Sequence, residues 1–90
     1  MTHILKILPR FFGEVASGQK TFEIQRDDRE FRAGDILILK EWGYGPDQYK
    51  DQGLTGREVG VDVLFVTNLR PAYEAVGMVI KLRGRQIDNI

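Results

Sequence analysis

The chain has 90 residues, 42% hydrophobic and 29% charged, and its thirteen basic and thirteen acidic side chains cancel at neutral pH. That size holds one compact core in one domain, residues 1–90, and leaves no room for a deep cleft between two domains. Zero net charge excludes a general pull toward nucleic acid or anionic membrane, while the lack of cysteine excludes disulfides and thiolate metal sites, and a single histidine argues against a zinc centre.

His3 to Leu8 alternates loosely and is short, which predicts a strand. Pro9 fits the first turn of a helix, where its missing N–H costs nothing. Phe11, Phe12 and Val15 are spaced to make one apolar helical face, and Gly18 is placed to end the helix in a left-handed conformation. Thr21 to Arg26 reads as a second strand, with Phe22 and Ile24 on one side and Thr21, Glu23 and Gln25 on the other. Asp27, Asp28 and Arg29 make a polar turn. Asp35 to Trp42 is a strand whose apolar run, Ile36 to Leu39, implies cover on both faces.

Gly43 to Gly53 is rich in Gly, Pro and Asp and reads as a long loop. Arg57 to Thr67 is the cleanest strand, with Val59, Val61, Val63 and Phe65 alternating with Gly60, Asp62 and Leu64. Arg70-Pro71 marks a turn. Val76 to Arg83 closes the series, with Met78, Ile80 and Leu82 on the inner face. Val61, Val63 and Ile38 are expected core residues. The pattern is that of an α+β domain, a small β-barrel of about five strands with one helix after the first strand. No apolar run approaches the ~20 residues of a membrane span, and the amino end lacks the pattern of a signal peptide. A cytoplasmic protein without membrane, metal or cofactor is expected.

The stretch GQKTFEIQRDDREFRAGD, residues 18–35, sets Lys20, Glu23, Arg26, Asp27, Asp28 and Arg29 among Phe22 and Ile24. A buried strand does not require so many charges of both signs. The cluster is either a solvated, self-neutralising edge or the wall of a polar site. It resembles the ASCH domain of the PUA-like superfamily of small β-barrels. That family is marked by Gly-x-Lys, then Glu and Arg, then Gly-Asp, and Gly18, Lys20, Glu23, Gly34 and Asp35 match. The likeness is greatest to a small single-domain subgroup, through His3, Leu5, Lys6 and Ile7, then Phe22, Glu23, Ile24, Asp28, Arg29 and Phe31, then Thr55, Gly56 and Arg57. It runs from about His3 to Leu82. Gln25 stands where the family carries its Arg, and Arg26 belongs to the opposite face, which leaves Arg29 as the substitute charge.

Each candidate has two readings. Lys20 and Glu23 are a surface ion pair or a phosphate- or base-binding pair in which Glu23 also moves a proton. Lys6 faces water or joins them at the rim. Asp28 caps its turn while Arg29 is solvated, or Arg29 forks to or stacks on a nucleotide. Trp42 covers a barrel end and Tyr44 and Tyr49 pin the loop, or these rings, with Lys50 and Arg57, stack on exposed bases.

No hydroxyl has His3 at a recognised nucleophile spacing, and the glycines form no phosphate loop. The resemblance implies a module that binds RNA or a modified nucleoside in a local polar cleft. The alternatives are a small amidohydrolase acting on an acylated nucleoside, and a protein-interaction module without a ligand. Some ASCH proteins remove an acyl group from a modified cytidine with a Thr three residues after the Lys. Glu23 occupies that position here, and Thr21 would point away from Lys20. Binding is therefore expected over catalysis, with Lys20 and Glu23 as the catalytic pair if there is one. Oligomeric state is open at this level.

Overall fold

The computed structural model describes residues 1–43 and 53–84. Among them are five strands and one helix: β1 (Thr2–Ile7), α1 (Pro9–Ala16), β2 (Phe22–Arg26), β3 (Ile36–Gly43), β4 (Gly53–Asn68) and β5 (Ala75–Leu82). The strands form one mixed sheet in the order β1-β3-β4-β5-β2. β1 runs parallel to β3, and every other pairing is antiparallel. The sheet curls into a half-barrel with α1 after the first strand, as the pattern of elements predicts. No described helix is long and apolar enough to cross a membrane.

Alternation decides the core. Leu5 and Ile7 from β1, Leu37 and Leu39 from β3, Val61 and Val63 from β4, and Met78 and Ile80 from β5 all turn inward, together with Phe12 and Val15 from α1. Leu37, Leu39 and Met78 are wholly buried. Pro9 opens the helix against Gly43, at the far end of β3. Gly18, at φ 83, ends it, and its N–H donates to the Val15 carbonyl. A side chain is strained at that φ, which is why glycine follows the last helical turn.

Two expectations fail at identifiable points. Ile38 is half-buried, because Leu37 and Leu39 take the inner face and Ile38 turns outward over Gly60. Phe65 is 59% exposed. The pairing steps from Val63–Ile80 to Phe65–Val79, so Leu64 is an extra residue in β4. Such a bulge exchanges the faces of everything after it. Val66 rather than Phe65 then packs on the core. Leu82 is half-buried at the end of β5.

The inner-face assignment has a direct consequence. Val61→Ala or Val63→Ala is expected to destabilise the chain by about 1–3 kcal/mol, from lost burial and an incompletely filled cavity. Leu64→Ala, at a bulged and exposed position, should change stability by less than about 0.5 kcal/mol. Chemical denaturation of the three variants measures both.

Candidate functional site

β2 is built inside out. Its apolar residues Phe22 and Ile24 face outward, 41% and 57% exposed, while Glu23 turns inward and is 7% exposed. The connection after Gly18 sets this register. The Lys20 N–H donates to the Glu14 carbonyl at 2.9 Å, and the Thr21 carbonyl accepts from the Ile80 N–H at 2.9 Å. From there Phe22 pairs with Val79 and Glu23 with Met78.

Both oxygens of Glu23 are held. Lys20 Nζ donates to Oε1 at 2.9 Å and to the Phe22 carbonyl at 2.6 Å, and Gln25 Nε2 donates to Oε2 at 2.9 Å. Gln25 thus takes the Glu23 oxygen that Lys20 leaves open. An ammonium has more donors than these two contacts use, so Lys20, its side chain 28% exposed, retains hydrogen-bonding capacity toward solvent. The pair lines a pocket of ≈ 320 Å³ with Phe11, Phe22 and Ile24. Phe11 presents its ring 5.6 Å from Lys20 Nζ, with the Arg10 guanidinium 4.9 Å from the same ring.

A second buried carboxylate, Glu41, lies on the inner face of β3 at 3% exposure. Arg57 grips it through Nε to Oε1 at 2.9 Å and a terminal nitrogen to Oε2 at 2.8 Å, and Thr55 Oγ1 donates to Oε1 at 2.7 Å. The pairing of β3 with β4 jumps between Lys40–Glu58 and Trp42–Leu54, and Gly56 within that jump has φ 96. The distortion at Thr55-Gly56-Arg57 gathers the Thr and the Arg onto Glu41, and a residue with a side chain would be strained at Gly56. The Arg57 guanidinium lies 4.5 Å from the Phe12 ring. Adjacent helix residues, Phe11 and Phe12, therefore touch the two polar clusters.

The other expected site residues are elsewhere. Lys6 is on the outer face of β1, its ammonium 3.9 Å from the centre of the half-buried Trp42 ring, and does not join Lys20. Asp28 and Arg29 bond to each other at 3.2 Å and line a separate open cavity of ≈ 810 Å³ with Met1, His3, Glu30, Arg32 and Asp35. Neither Arg26 nor Arg29 lines the Lys20–Glu23 pocket, so neither supplies the charge missing at Gln25. Tyr44, Tyr49 and Lys50 fall outside the described residues. Glu41, His3 and Asp35 were not singled out as chemical groups from the sequence. Their signal is a charged residue at an inner position of an otherwise apolar alternation.

His3 Nε2 and Asp35 Oδ2 are 2.8 Å apart, the Met1 amine donates to Oδ1 at 2.9 Å, and the Arg32 N–H donates to Oδ2 at 3.0 Å. The terminal amine first, then His3, hold the Asp35 carboxyl far below the usual carboxylate range. Arg57, then Thr55, hold Glu41 below its ordinary value, and Glu41 raises Arg57 in turn. Among the described residues no three His, Asp or Glu side chains converge as metal ligands.

The fold and pocket define a small mixed-sheet half-barrel with a polar site at one edge strand. The chain belongs to the family described as "Domain of unknown function (DUF3850)", whose model matches residues 2–80. It is similar to a protein of Escherichia phage P2, the "Uncharacterized 12.9 kDa protein in GpA 3′ region", with 32% identity over 82 residues, covering 91% of this chain and 69% of the phage protein.

The two depressed carboxyls set an acid limb. A carboxyl whose folded pKa is lowered contributes stability above its unfolded value and loses that contribution as pH falls through the folded one. Stability should therefore decline as pH drops below about 4.5, the ordinary Glu value, and decline further below the Asp value of 3.8. Glu41→Gln should lower stability at neutral pH and flatten the upper part of that limb, as read by urea denaturation across pH.

Proposed function

We propose that this chain is an ASCH-like module of PUA-like architecture that binds RNA or a modified nucleoside at the Lys20–Glu23 pocket. The single observation that carries this reading is the inversion of β2. A one-residue shift of register would bury Phe22 and Ile24 and release Glu23 to water. The strand instead buries a carboxylate, whose desolvation costs several kcal/mol, and leaves two large apolar side chains exposed. Rules of local preference are broken in this way at working sites.

The pocket's chemistry matches a nucleobase. Phe11, Phe22 and Ile24 supply apolar walls against which a ring can lie. Glu23 accepts from amino or imino groups on a base edge, and Lys20 donates to a carbonyl or a phosphate oxygen. The half-barrel with its early helix supports the PUA-like reading, and the match of Gly18, Lys20, Glu23, Gly34 and Asp35 supports the ASCH reading. With balanced charge the affinity comes from this local site, so few phosphates are engaged and the salt dependence is shallow.

Binding is favoured over hydrolysis because both Glu23 oxygens are already fixed as acceptors and His3 lies beside Asp35 in the separate cavity. Thr21 is exposed, next to Lys20 in sequence, with no base bonded to it among the described residues. Titration of labelled single-stranded RNA, duplex DNA and free nucleosides at several salt concentrations tests the proposal. Single strands or nucleosides should bind in preference to duplex. Lys20→Ala should weaken that binding at least tenfold, about 1.4 kcal/mol, and Arg29→Ala should not. Equal binding to every probe, or none at millimolar protein, would overturn it. Turnover of N4-acetylcytidine at ~1 per second, within the ordinary enzyme range, and lost in both Lys20→Ala and Glu23→Gln, would replace it with an amidohydrolase using Glu23 as general base.

A further inference from the structure

We infer that the edge of β2, unpaired among the described residues, is a self-association surface, joining two copies of this chain through antiparallel β2–β2 pairing about a two-fold axis at Ile24. The pairing edge shares Lys20, Phe22 and Ile24 with the proposed nucleoside pocket, so pairing and ligand binding compete there.

Among the described residues β2 and β1 are the two edges of the sheet, and each mixes apolar and charged residues on its outer face, Ile4 with Lys6 on β1 and Phe22 and Ile24 with Arg26 on β2. Natural edges are blunted by charge, lysine above all. β1 carries Lys6 on its outer face, spread over Trp42. β2 carries Phe22 and Ile24 there, and the pairings Phe22–Val79 and Phe65–Val79 continue that row into the exposed Phe65 of β4. Arg26 ends that row on the same face and Lys20 bonds the Phe22 carbonyl, so the edge is charged at its two ends and apolar between them.

The backbone shows which groups the edge offers. The Thr21 carbonyl accepts from Ile80 and the Asp27 N–H donates to the Glu74 carbonyl. Odd-numbered residues of β2 therefore turn their polar backbone groups toward β5. Phe22, Ile24 and Arg26 turn theirs to the open side, where Lys20 already bonds the Phe22 carbonyl. A second β2 can pair only in registers that bring these even-numbered residues opposite one another.

Centring on Phe22 or Arg26 would pair only one end of β2, and charge selects among the three symmetric registers that overlap more of the strand. Centring on Glu23 sets that carboxylate against its own copy. Centring on Gln25 sets Glu23 against Asp27. Centring on Ile24 sets Glu23 opposite Gln25, Phe22 opposite Arg26 and Ile24 opposite itself, and brings Lys20 to the level of Asp28. Like charges directly opposite destabilise a ladder, while apolar, cation–aromatic and opposite-charge pairs favour it. The segment from Lys20 to Asp28 is complementary to itself in this register alone of the three.

Sedimentation from micromolar to millimolar chain should show a reversible monomer–dimer equilibrium. Ile24→Lys places two ammonium groups across the axis and should weaken association at least tenfold. The position is exposed, and circular dichroism checks that the fold is kept. The chain lacks cysteine, so register can be read separately. Opposed residues of a hydrogen-bonded antiparallel pair have Cα atoms ~5.5 Å apart, within disulfide reach. Mild oxidation should cross-link Ile24→Cys with itself, and Phe22→Cys with Arg26→Cys when the two are mixed, but not Phe22→Cys alone. A monomer throughout the range would overturn the inference and leave the edge to a strand from another protein. So would undiminished association of Ile24→Lys, or cross-linking of Phe22→Cys alone as efficient as that of Ile24→Cys.

Discussion

The fold depends on how β1 is tied to β3. These strands run parallel, so no hairpin can join them, and α1 and β2 lie between them in sequence. The tie is the buried contact of His3 with Asp35, thirty-two positions apart. The Asp35 carboxylate gathers β1 through His3 and closes its own turn through the Arg32 N–H. Its backbone carbonyl accepts from the Val63 N–H of β4, while the Gly34 N–H donates to the Val63 carbonyl. One residue thus joins the starts of β1 and β3 to Val63, well inside β4. Leu5 and Ile7 then meet Leu37 and Leu39, and β1 ends where Pro9 can pack on Gly43. That placement lays α1 along the concave face, with Phe11 and Phe12 at the two polar clusters.

Those clusters differ in kind. Glu41 is gripped by a two-pronged Arg and a Thr and is sealed from solvent. Removing one partner from such a carboxylate is costly, because the charge left behind is unsolvated. The solvent-exposed side of Arg57 reduces that penalty without abolishing it. Its natural role is to hold the distorted stretch of β4 against β3 and Phe12. Glu23 has a donor on each oxygen but borders a pocket, and its Lys20 partner remains partly open. Similar chemistry is therefore closed off at one place and borders an open pocket at the other.

The edge strand joins these themes. Its buried Glu23 and its exposed Phe22 and Ile24 line one pocket together, and the same two apolar side chains form a seam with the outward backbone groups. Both follow from the same choice of register. A neutral chain exerts no long-range pull at this edge, so a partner proposed for it must be selected by short-range hydrogen bonds and shape.

Much of this was legible in the sequence. The strand order along the chain, the helix between Pro9 and Gly18, the core valines of β4 and the pairing of Lys20 with Glu23 follow from alternation, capping and spacing. These are local properties, set by backbone geometry within a few residues. Alternation states which residues share a face but not which face is inner, so Phe22 and Ile24 gave no warning that Glu23 would take the inside of β2. It also assumes an unbroken ladder, so Phe65 falls in the row of the core valines by alternation but lies outside once the bulge at Leu64 exchanges faces. The separation of Lys6 and Arg29 from Lys20, the capture of Glu41 by Arg57 and the His3–Asp35 tie join residues remote in the chain. Only the tertiary structure decided these, because each depends on which strands become neighbours and in what register, a choice set by the whole core.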